Sequence, residues 1–557
     1  MATISRSQRY RRIVSVLVDE GFGTVLDQLG LRAPWIANLR GNRAKGPDAN
    51  LMPEERVRRT MEHLGPTFAK IGQMLSVRPD LIPASYADEL AKLQDEMVPF
   101  PFAQARAEIE ESFGEPLDAL YATFEEEPAA AASIGQVHMA TLLDGTRVAV
   151  KVQRPGIRDV IEADLDILRT QARRIHGRTD IGVRYDVVGL VDEFSRVLHE
   201  ECDYVREGEN AERLATAFEG DTTVHFPKVY WDRTSSTVLT MERIEGIGFN
   251  RLDELDAHGV DRREIARRGI TCYYEQIFIH GFYHADPHPG NLFAMPDGRV
   301  AFTDFGRAGK LSDEARAQVA DLLVAIIEQD GELAGDILLE VSRGVADVDA
   351  IGLKRDVTAL IAKYYNMRLR EVDTRALIVE VMSLIGKRGL SLSSEFALLL
   401  TTLATIQALG TAIDPDFHFV ESVTPFARRI VEEQVQPTSI AKGFIGTMRK
   451  SMRAFQGFPD NVNRALKRVA DGDLRMTVRP GGFDPLMSRV EQAIDRLAFA
   501  LVVSAFVLGF SWLLAPTQIP WWLELIAGFT LVCSAGVGVW FFLSIMLRRW
   551  RQRRHEY

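Results

Sequence analysis

Two periodicities of apolar residues organise the first 436 residues of the chain. Alternating apolar and polar residues predict strands, because successive side chains of a strand point to opposite faces. Such segments lie at 141–143, Arg147–Gln153, 237–241 and 299–303. Apolar residues at helical spacing predict helices over 54–114, from 187 to 218 and through most of 311–435, where Ser312 is an N-cap signature for a helix to about residue 328. The mixture predicts an α+β fold.

Two longer apolar segments near the C-terminus have no such periodicity. Residues 497–515 contain no charged residue, and residues 521–547 contain one, Glu524. At a rise of about 1.5 Å per residue, either segment is long enough as a helix to cross a hydrocarbon core of about 30 Å. A pair of buried core helices is the alternative, but helices of soluble proteins rarely run this long without polar residues. The sequence therefore predicts a two-helix transmembrane hairpin.

Arginine residues predict the orientation of that hairpin. Arg489 and Arg496 precede it, and the tail 548–557 holds five arginines, whereas the connecting segment 516–520 has no basic residue. Because basic residues favour the cytoplasmic side of a membrane, both ends are expected to face the cytoplasm. The predicted location is therefore the inner (cytoplasmic) membrane, with the large N-terminal body on its cytoplasmic side.

The formal net charge of −11 is unevenly distributed along the 557 residues. From Pro437 onward there are 16 Lys and Arg against 8 Asp and Glu, so the preceding body is strongly acidic. An acidic body argues against nucleic-acid binding, which needs a basic surface. The three cysteines, Cys202, Cys272 and Cys533, have neither metal-ligand nor disulfide spacing. A chain of this length is sufficient for two or three hydrophobic cores.

Two basic segments flank the acidic body. The N-terminal segment 1–53 has four arginines and no acid in its first 18 residues, which fits either a transit peptide or a basic helix on a membrane surface. The segment 437–490 interleaves basic and apolar residues. It fits a membrane-proximal linker, and an ordinary solvated helix pair is the alternative.

The candidate chemistry lies in two short motifs, D-x-x-x-x-N from Asp286 to Asn291 and D-F-G beginning at Asp304. A protein-kinase site needs a carboxylate near the attacking hydroxyl or water. It also needs an amide oxygen on one metal ion and a second carboxylate between metal and phosphates. Asp286 suits the first role, and Asn291 and Asp304 suit the other two. Lys151, on the alternating segment Arg147–Gln153, suits the upstream phosphate-binding lysine, so ATP and Mg²⁺ are the predicted cofactors.

The turn before the Lys151 strand departs from ordinary kinases, which have a glycine-rich loop over the phosphates. Here alanines replace glycines, so the backbone has less access to positive φ; taken alone, the alanine run would favour a helix. The predicted nucleotide-binding residues of this loop are Ala131, Ala132, Ser133, Ile134, Gly135 and Gln136. Glu242 and Ile244 follow the strand at 237–241 and are predicted hinge contacts to adenine.

With Lys70-Ile-Gly-Gln73 and segments 131–138 and 201–207, these motifs resemble the UbiB family of atypical, quinone-biosynthesis-associated kinase-like ATPases. The resemblance spans about residues 55 to 310. It implies a bilobal kinase-like fold with a small lobe at 119–245, a large lobe at 246–436, and a helical extension at 54–118 whose K-x-G-Q motif lies over the active site. By the same resemblance, Glu207 pairs with Lys151, Glu201 and Asp203 pair with Lys70, and Lys70 and Gln73 are regulatory.

The sequence that follows the D-F-G motif limits the choice of substrate. No A-P-E sequence and no room for an activation segment follow it, which argues against a peptide substrate. The leading hypothesis, with its quinone context taken from the family resemblance, is a membrane-anchored ATPase that supports isoprenoid quinone biosynthesis through lipid precursors or partner enzymes. The alternatives are a small-molecule or lipid kinase with Asp286 as base, and a nucleotide-binding pseudokinase scaffold.

Overall fold

The computed structural model describes residues 6–22, 51–78, 81–93, 98–176, 186–344, 349–365, 374–418, 421–426 and 429. The chain divides into two units, 1–445 and 446–557, and every described residue belongs to the first. The predicted linker at 437–490, the hairpin helices at 497–515 and 521–547, and the tail at 548–557 lie outside the described residues. The mixed helix and strand content predicted from the sequence is confirmed.

The N-terminal part is helical, as the apolar spacing predicts. Leu64, Phe68 and Ile71 are buried on one side of consecutive helices, each of which begins with a proline at its first turn. The bounds are α1 Arg6–Asp19, α2 Pro53–Leu64, α3 Pro66–Ser76, α4 Ala84–Leu90, α5 Phe102–Phe113 and α6 Leu117–Leu120.

A buried ion pair docks α1 onto the rest of the molecule. The Arg9 guanidinium donates to both carboxylate oxygens of Asp164, at 2.6 and 2.7 Å, and to the Leu64 carbonyl at 2.8 Å. Ile13 and Val14 are buried on the same helix, while Arg11 and Arg12 are exposed. The structure therefore gives α1 a packed face, whereas the sequence left open a transit peptide or a surface-lying helix.

The first sheet carries Lys151. Its strands are antiparallel in the order β1-β3-β4-β6, with β2 also paired to β3, and Lys151 lies between Val137 and Leu239. The strand predicted at 141–143 is wrong in its bounds, because the observed strand ends at Thr141 and a turn follows. The strands are β1 Thr123–Phe124, β2 Ala130–Ala131, β3 Gly135–Thr141, β4 Arg147–Gln153 and β6 Val238–Glu242; β5 Val224–His225 belongs to the second sheet. The alanine run is thus a β-hairpin and not a helix.

The helical stretch predicted from 187 to 218 is confirmed, and the structure divides it into two helices. The first ends at Glu201, and Asp203 has extended backbone and accepts a hydrogen bond from the Val205 amide at 3.2 Å. This side-chain cap starts the second helix in a new direction. With the helix that follows β4, the bounds are α7 Ile157–His176, α8 Val187–Glu201 and α9 Tyr204–Ala217.

The second sheet connects to the candidate catalytic motifs. Its order is β5-β10-β9-β7, and β5, which lies in the range expected for the small lobe, runs parallel to β10. A separate pair joins β8 to β11. The elements are β5 Val224–His225, β7 Ile247–Gly248, α10 Leu252–Ala257, α11 Arg262–Tyr274, β8 Phe282–His284, β9 Leu292–Ala294, β10 Val300–Phe302 and β11 Ala308–Lys310.

The C-terminal described part packs helices on the largest core. Ser312 caps α12 by accepting from the Ala315 amide at 3.1 Å, as predicted. One described helix, α16, is long and apolar enough to cross a membrane, but 56% of its apolar window is buried, and its buried residues belong to this core. The elements are α12 Asp313–Ile327, α13 Gly331–Glu340, β12 Ser342–Gly344, α14 Ala350–Tyr365, α15 Thr374–Lys387, β13 Leu390–Leu392 and α16 Ser394–Ile413.

Candidate functional site

Lys151, Glu207 and Asp304 meet between the two sheets. The Lys151 ammonium donates to both oxygens of Glu207, at 2.8 and 2.9 Å, and to Asp304 Oδ1 at 3.3 Å. Strand β4 supplies the lysine, helix α9 supplies the glutamate, and the loop after β10 supplies the aspartate. Three distant parts of the sequence thus place one ammonium between two carboxylates.

Electrostatics distinguish the two carboxylates. The attraction of Lys151 holds the pKa of Asp304 well below its ordinary value, against the opposing effect of its partial desolvation. Burial raises the pKa of Glu207 to about 7, although Lys151 acts in the other direction. Burial alone would lower the pKa of Lys151, but Asp304 and Glu207 together raise it well above its ordinary value. Lys151 and Asp304 therefore remain charged at neutral pH.

The loop that begins at His284 fixes Asp286 and Asn291 relative to each other. Asn291 Nδ2 donates to Asp286 Oδ2 at 3.1 Å and to the Asp286 carbonyl at 3.2 Å. Because both bonds use the amide nitrogen, the amide oxygen of Asn291 is left as an acceptor for a cation. The Thr303 amide donates to the Asn291 carbonyl at 2.9 Å, which ties this loop to the segment before Asp304.

His284 is a positioning residue to which the sequence analysis gave no role. One ring nitrogen contacts the Thr303 carbonyl at 3.0 Å, and Nδ1 accepts from the Asp286 amide at 3.2 Å. The side chain is buried, and its own amide donates to Gln276 Oε1 at 2.9 Å. His284 lies two residues before Asp286, as the histidine does in the kinase H-R-D sequence. This spacing could have identified it from the sequence.

Asp304 has an unusual backbone conformation. Its φ is +57°, in the left-handed region that few residues other than glycine adopt. The side chain is half exposed, at 51%, and faces the cleft beside Lys151. Such strain persists only when the surrounding structure holds it, and it concentrates at functional sites.

The alanine hairpin is held by contacts on both sides. At its tip, the Ala132 amide donates to the Gly135 carbonyl at 2.7 Å, and the Arg154 amide donates to the Ile134 carbonyl at 2.7 Å. Ser133 is buried, and its hydroxyl has no hydrogen-bond partner in the described part of the protein. A buried hydroxyl without a partner is costly, so Ser133 Oγ fits a phosphate oxygen as its missing partner.

The side chains of two predicted nucleotide-binding residues in this hairpin have structural contacts. Gln136 is buried, and its side-chain amide donates to the Phe100 carbonyl at 3.2 Å and accepts from the Phe100 amide at 3.0 Å. Ile134 is buried in a core that includes Ile71 of α3. Both side chains therefore join the hairpin to the N-terminal helices and do not face the cleft.

The ring of Tyr204 contacts the Lys151 ammonium, and the sequence analysis gave Tyr204 no role. The Lys151 ammonium lies 5.2 Å from the centre of its ring, and the Tyr204 hydroxyl is buried without a hydrogen-bond partner among the described residues. A Cβ atom on Gly135 would lie 2.3 Å from that hydroxyl. The hairpin can therefore approach Tyr204 this closely only because residue 135 is glycine.

The predicted hinge is only partly available to a nucleotide. The Glu242 amide donates to the Lys228 carbonyl at 2.8 Å, and its carboxylate contacts His225 Nε2 at 3.1 Å. This contact with His225 contributes most to lowering the pKa of Glu242. Because the amide and side chain of Glu242 are both committed, Ile244 is the better candidate for an adenine contact.

The K-x-G-Q helix α3 lies against the site. Lys70 Nζ is 3.3 Å from Glu201 Oε2, and its charge also contributes to the low pKa of Asp304. Gln73 Nε2 donates to the Leu93 carbonyl at 3.2 Å, which holds α3 to the following segment. Asp203, assigned to Lys70 by resemblance, caps α9.

Gly72 of the same motif has a packing role. A Cβ atom there would lie 2.4 Å from Leu93 and 2.6 Å from Met61. Glycine at this position is therefore required for the close packing of α3 against its neighbouring helices.

The residues of the cleft fit a magnesium–nucleotide complex on their chemistry. The fit rests on the hydroxyl of Ser133, the free amide oxygen of Asn291 and the half-exposed carboxylate of Asp304. In the part of the chain that the structure describes, no group of three His, Cys, Asp or Glu side chains could hold a metal ion. A metal ion here would complete its ligands with phosphate oxygens, as Mg²⁺ commonly does.

Comparison with known proteins matches two family models. Residues 92–337 match the ABC1 atypical kinase-like domain, and residues 481–547 match the ABC1/UbiB kinase-like C-terminal domain. The first match covers the alanine β-hairpin, the Lys151 strand and both aspartate motifs. The second covers the predicted hairpin helices.

Several relatives align over most of the chain. A Synechocystis protein is 34% identical over 81% of this chain and 78% of its own length, and another is 36% identical over 68% and 67%. ACTIVITY OF BC1 COMPLEX KINASE 7, chloroplastic, of Arabidopsis thaliana is 34% identical over 76% and 62%. The erythromycin complex of Rv3197 from Mycobacterium tuberculosis is similar at 23% identity and a TM-score of 0.44, covering 62% of this chain and 88% of its own.

Proposed function

Since the chain belongs to the ABC1/UbiB family of atypical kinase-like proteins, we propose that it is a membrane-anchored ATPase that binds Mg-ATP. In this proposal, slow ATP hydrolysis supports isoprenoid quinone biosynthesis by acting on lipid precursors or on partner enzymes. The observation that carries the nucleotide chemistry is the contact of Lys151 with both Glu207 and Asp304, beside the hydrogen-bonded pair Asp286 and Asn291.

Each residue of the site has a defined task in this proposal. Lys151, oriented by Glu207, neutralises phosphate oxygens of the nucleotide, while Asp304 and the Asn291 amide oxygen hold magnesium. Bound Mg-ATP supplies the transferable phosphoryl group and the cation that offsets its charge. Asp286, held by Asn291 and His284, orients the attacking water or hydroxyl and accepts its proton.

The N-terminal extension restrains this chemistry. The Lys70–Glu201 ion pair ties α3 to α8, and the shared core of Ile71 and Ile134 ties α3 to the alanine hairpin. The chain passes from Gly306 to β11 and then to α12 at Asp313, so no activation segment separates them. Peptide docking has no surface there, which favours slow hydrolysis over protein phosphorylation.

The membrane and quinone parts of the proposal rest on the sequence and the family. The apolar segments 497–515 and 521–547 support a transmembrane hairpin, and the match to the family's C-terminal domain extends over both. The basic linker 437–490 would lie against anionic lipid. Quinone precursors are apolar and reside in membranes, so an anchored catalytic body would meet them at the surface.

Analysis of the products of ATP turnover tests the proposed activity. Purified full-length protein in lipid nanodiscs should release free phosphate from Mg-ATP and should label neither a generic peptide nor extracted lipid. We expect turnover well below the roughly 1–100 s⁻¹ of ordinary kinases, because the N-terminal helical extension holds the alanine hairpin in place. Lys70→Ala should raise peptide or self-labelling, while Lys92→Ala, at an exposed position after α4, should not.

The other outcomes identify the alternatives. Labelled lipid would indicate a lipid kinase that uses Asp286 as base, and nucleotide binding without any product would indicate a pseudokinase scaffold. Peptide labelling by the wild type at ordinary kinase rates would contradict the restraint. Lipid extraction from a deletion strain should show a missing quinone and an accumulated precursor, and an unchanged quinone pool would remove the proposed role in quinone synthesis.

The topology of the proposed hairpin can be measured with reporter fusions. A reporter after Tyr557 should behave as cytoplasmic, and one inserted within 516–520 should appear on the far side of the membrane, because the arginines flank the hairpin on one side only. Alkaline extraction should leave the full chain in the membrane, whereas truncation before residue 486 should release most of it. Recovery of the full-length protein in the soluble fraction would refute the hairpin.

A further inference from the structure

A groove separates the K-x-G-Q helix from the large core, beside the catalytic cleft. It is bordered by the end of α3, by α8, by the segment 306–308 and by the first turns of α16, and it encloses about 90 Å³. The segment 306–308 directly follows Asp304 and Phe305. The groove is thus adjacent to the site described above, but none of the proposed nucleotide contacts lines it.

The carboxylates that line the groove are all paired. Glu193 lies 3.6 Å from Arg78, and Glu201 lies 3.3 Å from Lys70. The third, Glu200, is paired with two arginines, at 3.1 Å from Arg196 and 3.2 Å from Arg206. Each lining carboxylate therefore has a basic partner; Arg78 and Arg196 also line the groove, whereas Lys70 and Arg206 lie outside it.

Arg307 adds a further positive charge to this groove. It is half-buried, and within the described part of the chain it makes no ion pair with a carboxylate. With Arg307, three basic side chains and three carboxylates line the groove, and Arg307 is the lining arginine that has no carboxylate partner among the described residues. A half-buried guanidinium without an anionic partner is suited to bind one, since its planar donors match an oxyanion.

The other wall of the groove is apolar. Met74 and Val77 at the end of α3, Phe194 and Val197 of α8, and Leu398 of α16 all line the same space. A volume of about 90 Å³ holds several water molecules at roughly 10–15 Å³ each, so it admits a compact head group and a short chain but no bulky molecule. A lining that combines a guanidinium without a carboxylate partner and several apolar side chains favours an amphiphile.

We propose that this groove binds a small amphiphilic oxyanion, with a phosphate or carboxylate head on Arg307 and a short apolar chain against Met74, Phe194 and Leu398. Such a ligand contacts α3 and α16 at once and lies next to the Lys70–Glu201 pair. The site is separate from the proposed nucleotide site and does not depend on it.

Calorimetric titration of the full-length protein in nanodiscs of neutral lipid tests the site, with monobutyl phosphate, inorganic phosphate and 1-butanol as probes. A saturating non-hydrolysable ATP analogue with Mg²⁺ in every titration keeps the probes from the nucleotide site, including its γ-phosphate position. Monobutyl phosphate should bind at least several-fold more tightly than inorganic phosphate, because only it covers the apolar wall, and 1-butanol should not bind measurably. Arg307→Gln should weaken binding by about tenfold or more, as expected for loss of a charged hydrogen-bond partner.

The matched control is Lys310→Gln, which removes the same charge from an exposed position three residues away, outside the groove. It should leave the affinity for monobutyl phosphate unchanged, and Arg307→Gln should still bind Mg-ATP as the wild type does. Absence of monobutyl phosphate binding, equal affinity for inorganic phosphate, or equal weakening by both substitutions would overturn the proposal. Failure of the wild type to bind Mg-ATP would instead count against the proposed function.

Discussion

Replacing Asp304 by asparagine should lower Mg-dependent ATP turnover by at least about 100-fold while the protein remains folded. The substitution removes the carboxylate expected to hold magnesium, and loss of one preorganised electrostatic group at a reacting phosphate typically costs 10²–10³ in rate. Asparagine tolerates the positive φ of +57° that this position requires, so the backbone should be kept. Phosphate release and nucleotide affinity, measured with and without Mg²⁺, report the effect.

The matched control for this substitution is Asp253→Asn. Asp253 is exposed in the first turn of α10 and is none of the residues assigned to the site. Its replacement by asparagine makes the same chemical change. It should leave turnover within about twofold of wild type. Unchanged Mg-ATP binding and hydrolysis in Asp304→Asn would contradict the kinase-like assignment of the site.

Gly135→Ala should both destabilise the protein and impair nucleotide binding. The new Cβ atom would lie 2.3 Å from the Tyr204 hydroxyl and 2.5 Å from the Val152 carbonyl, which is backbone and cannot move without shifting β4. Overpacking of this kind costs about 1–3 kcal/mol. Since β4 carries Lys151, we expect a lower thermal midpoint together with at least a tenfold loss of affinity for Mg-ATP.

The control is Gly269→Ala, which tests whether replacing any buried glycine by alanine would destabilise the protein as Gly135→Ala is expected to do. Gly269 lies within α11, and the nearest atom to an added Cβ is 3.6 Å away, on Val300. Alanine there relieves a helix of a glycine that costs about 1 kcal/mol, so stability should stay level or rise. If Gly135→Ala bound nucleotide with wild-type affinity, the close approach of the hairpin to Tyr204 would have no functional importance.

Local pattern predicted much of the fold, and its errors have local causes. The alternation at Arg147–Gln153 predicted the Lys151 strand correctly, and the Ser312 signature predicted the start of α12. The helical stretch over 187–218 was predicted correctly, but its division into two helices was not, because the apolar spacing continues through Cys202 while the Asp203 side chain caps a new helix. Helical propensity favoured a helix for the alanine run, but pairing with β3 makes it a strand.

The sequence by itself determined which chemistry the protein can support. The spacing of Asp286, Asn291 and Asp304, and the strand that carries Lys151, are properties of neighbouring residues, so a single sequence displays them. The membrane hairpin is a sequence prediction of the same kind, because length and apolarity are local.

Only the tertiary structure decided how the site is held. The Gln136 side chain binds the backbone of Phe100, 36 residues earlier, and the Ile134 side chain shares a core with Ile71, so the side chains of two predicted nucleotide-binding residues have structural roles. The uncompensated charge of Arg307 likewise depends on carboxylates paired elsewhere. Contacts between residues that are distant in the sequence leave no periodic pattern there, because each partner fits the pattern of its own helix or strand. Only the fold brings such partners together.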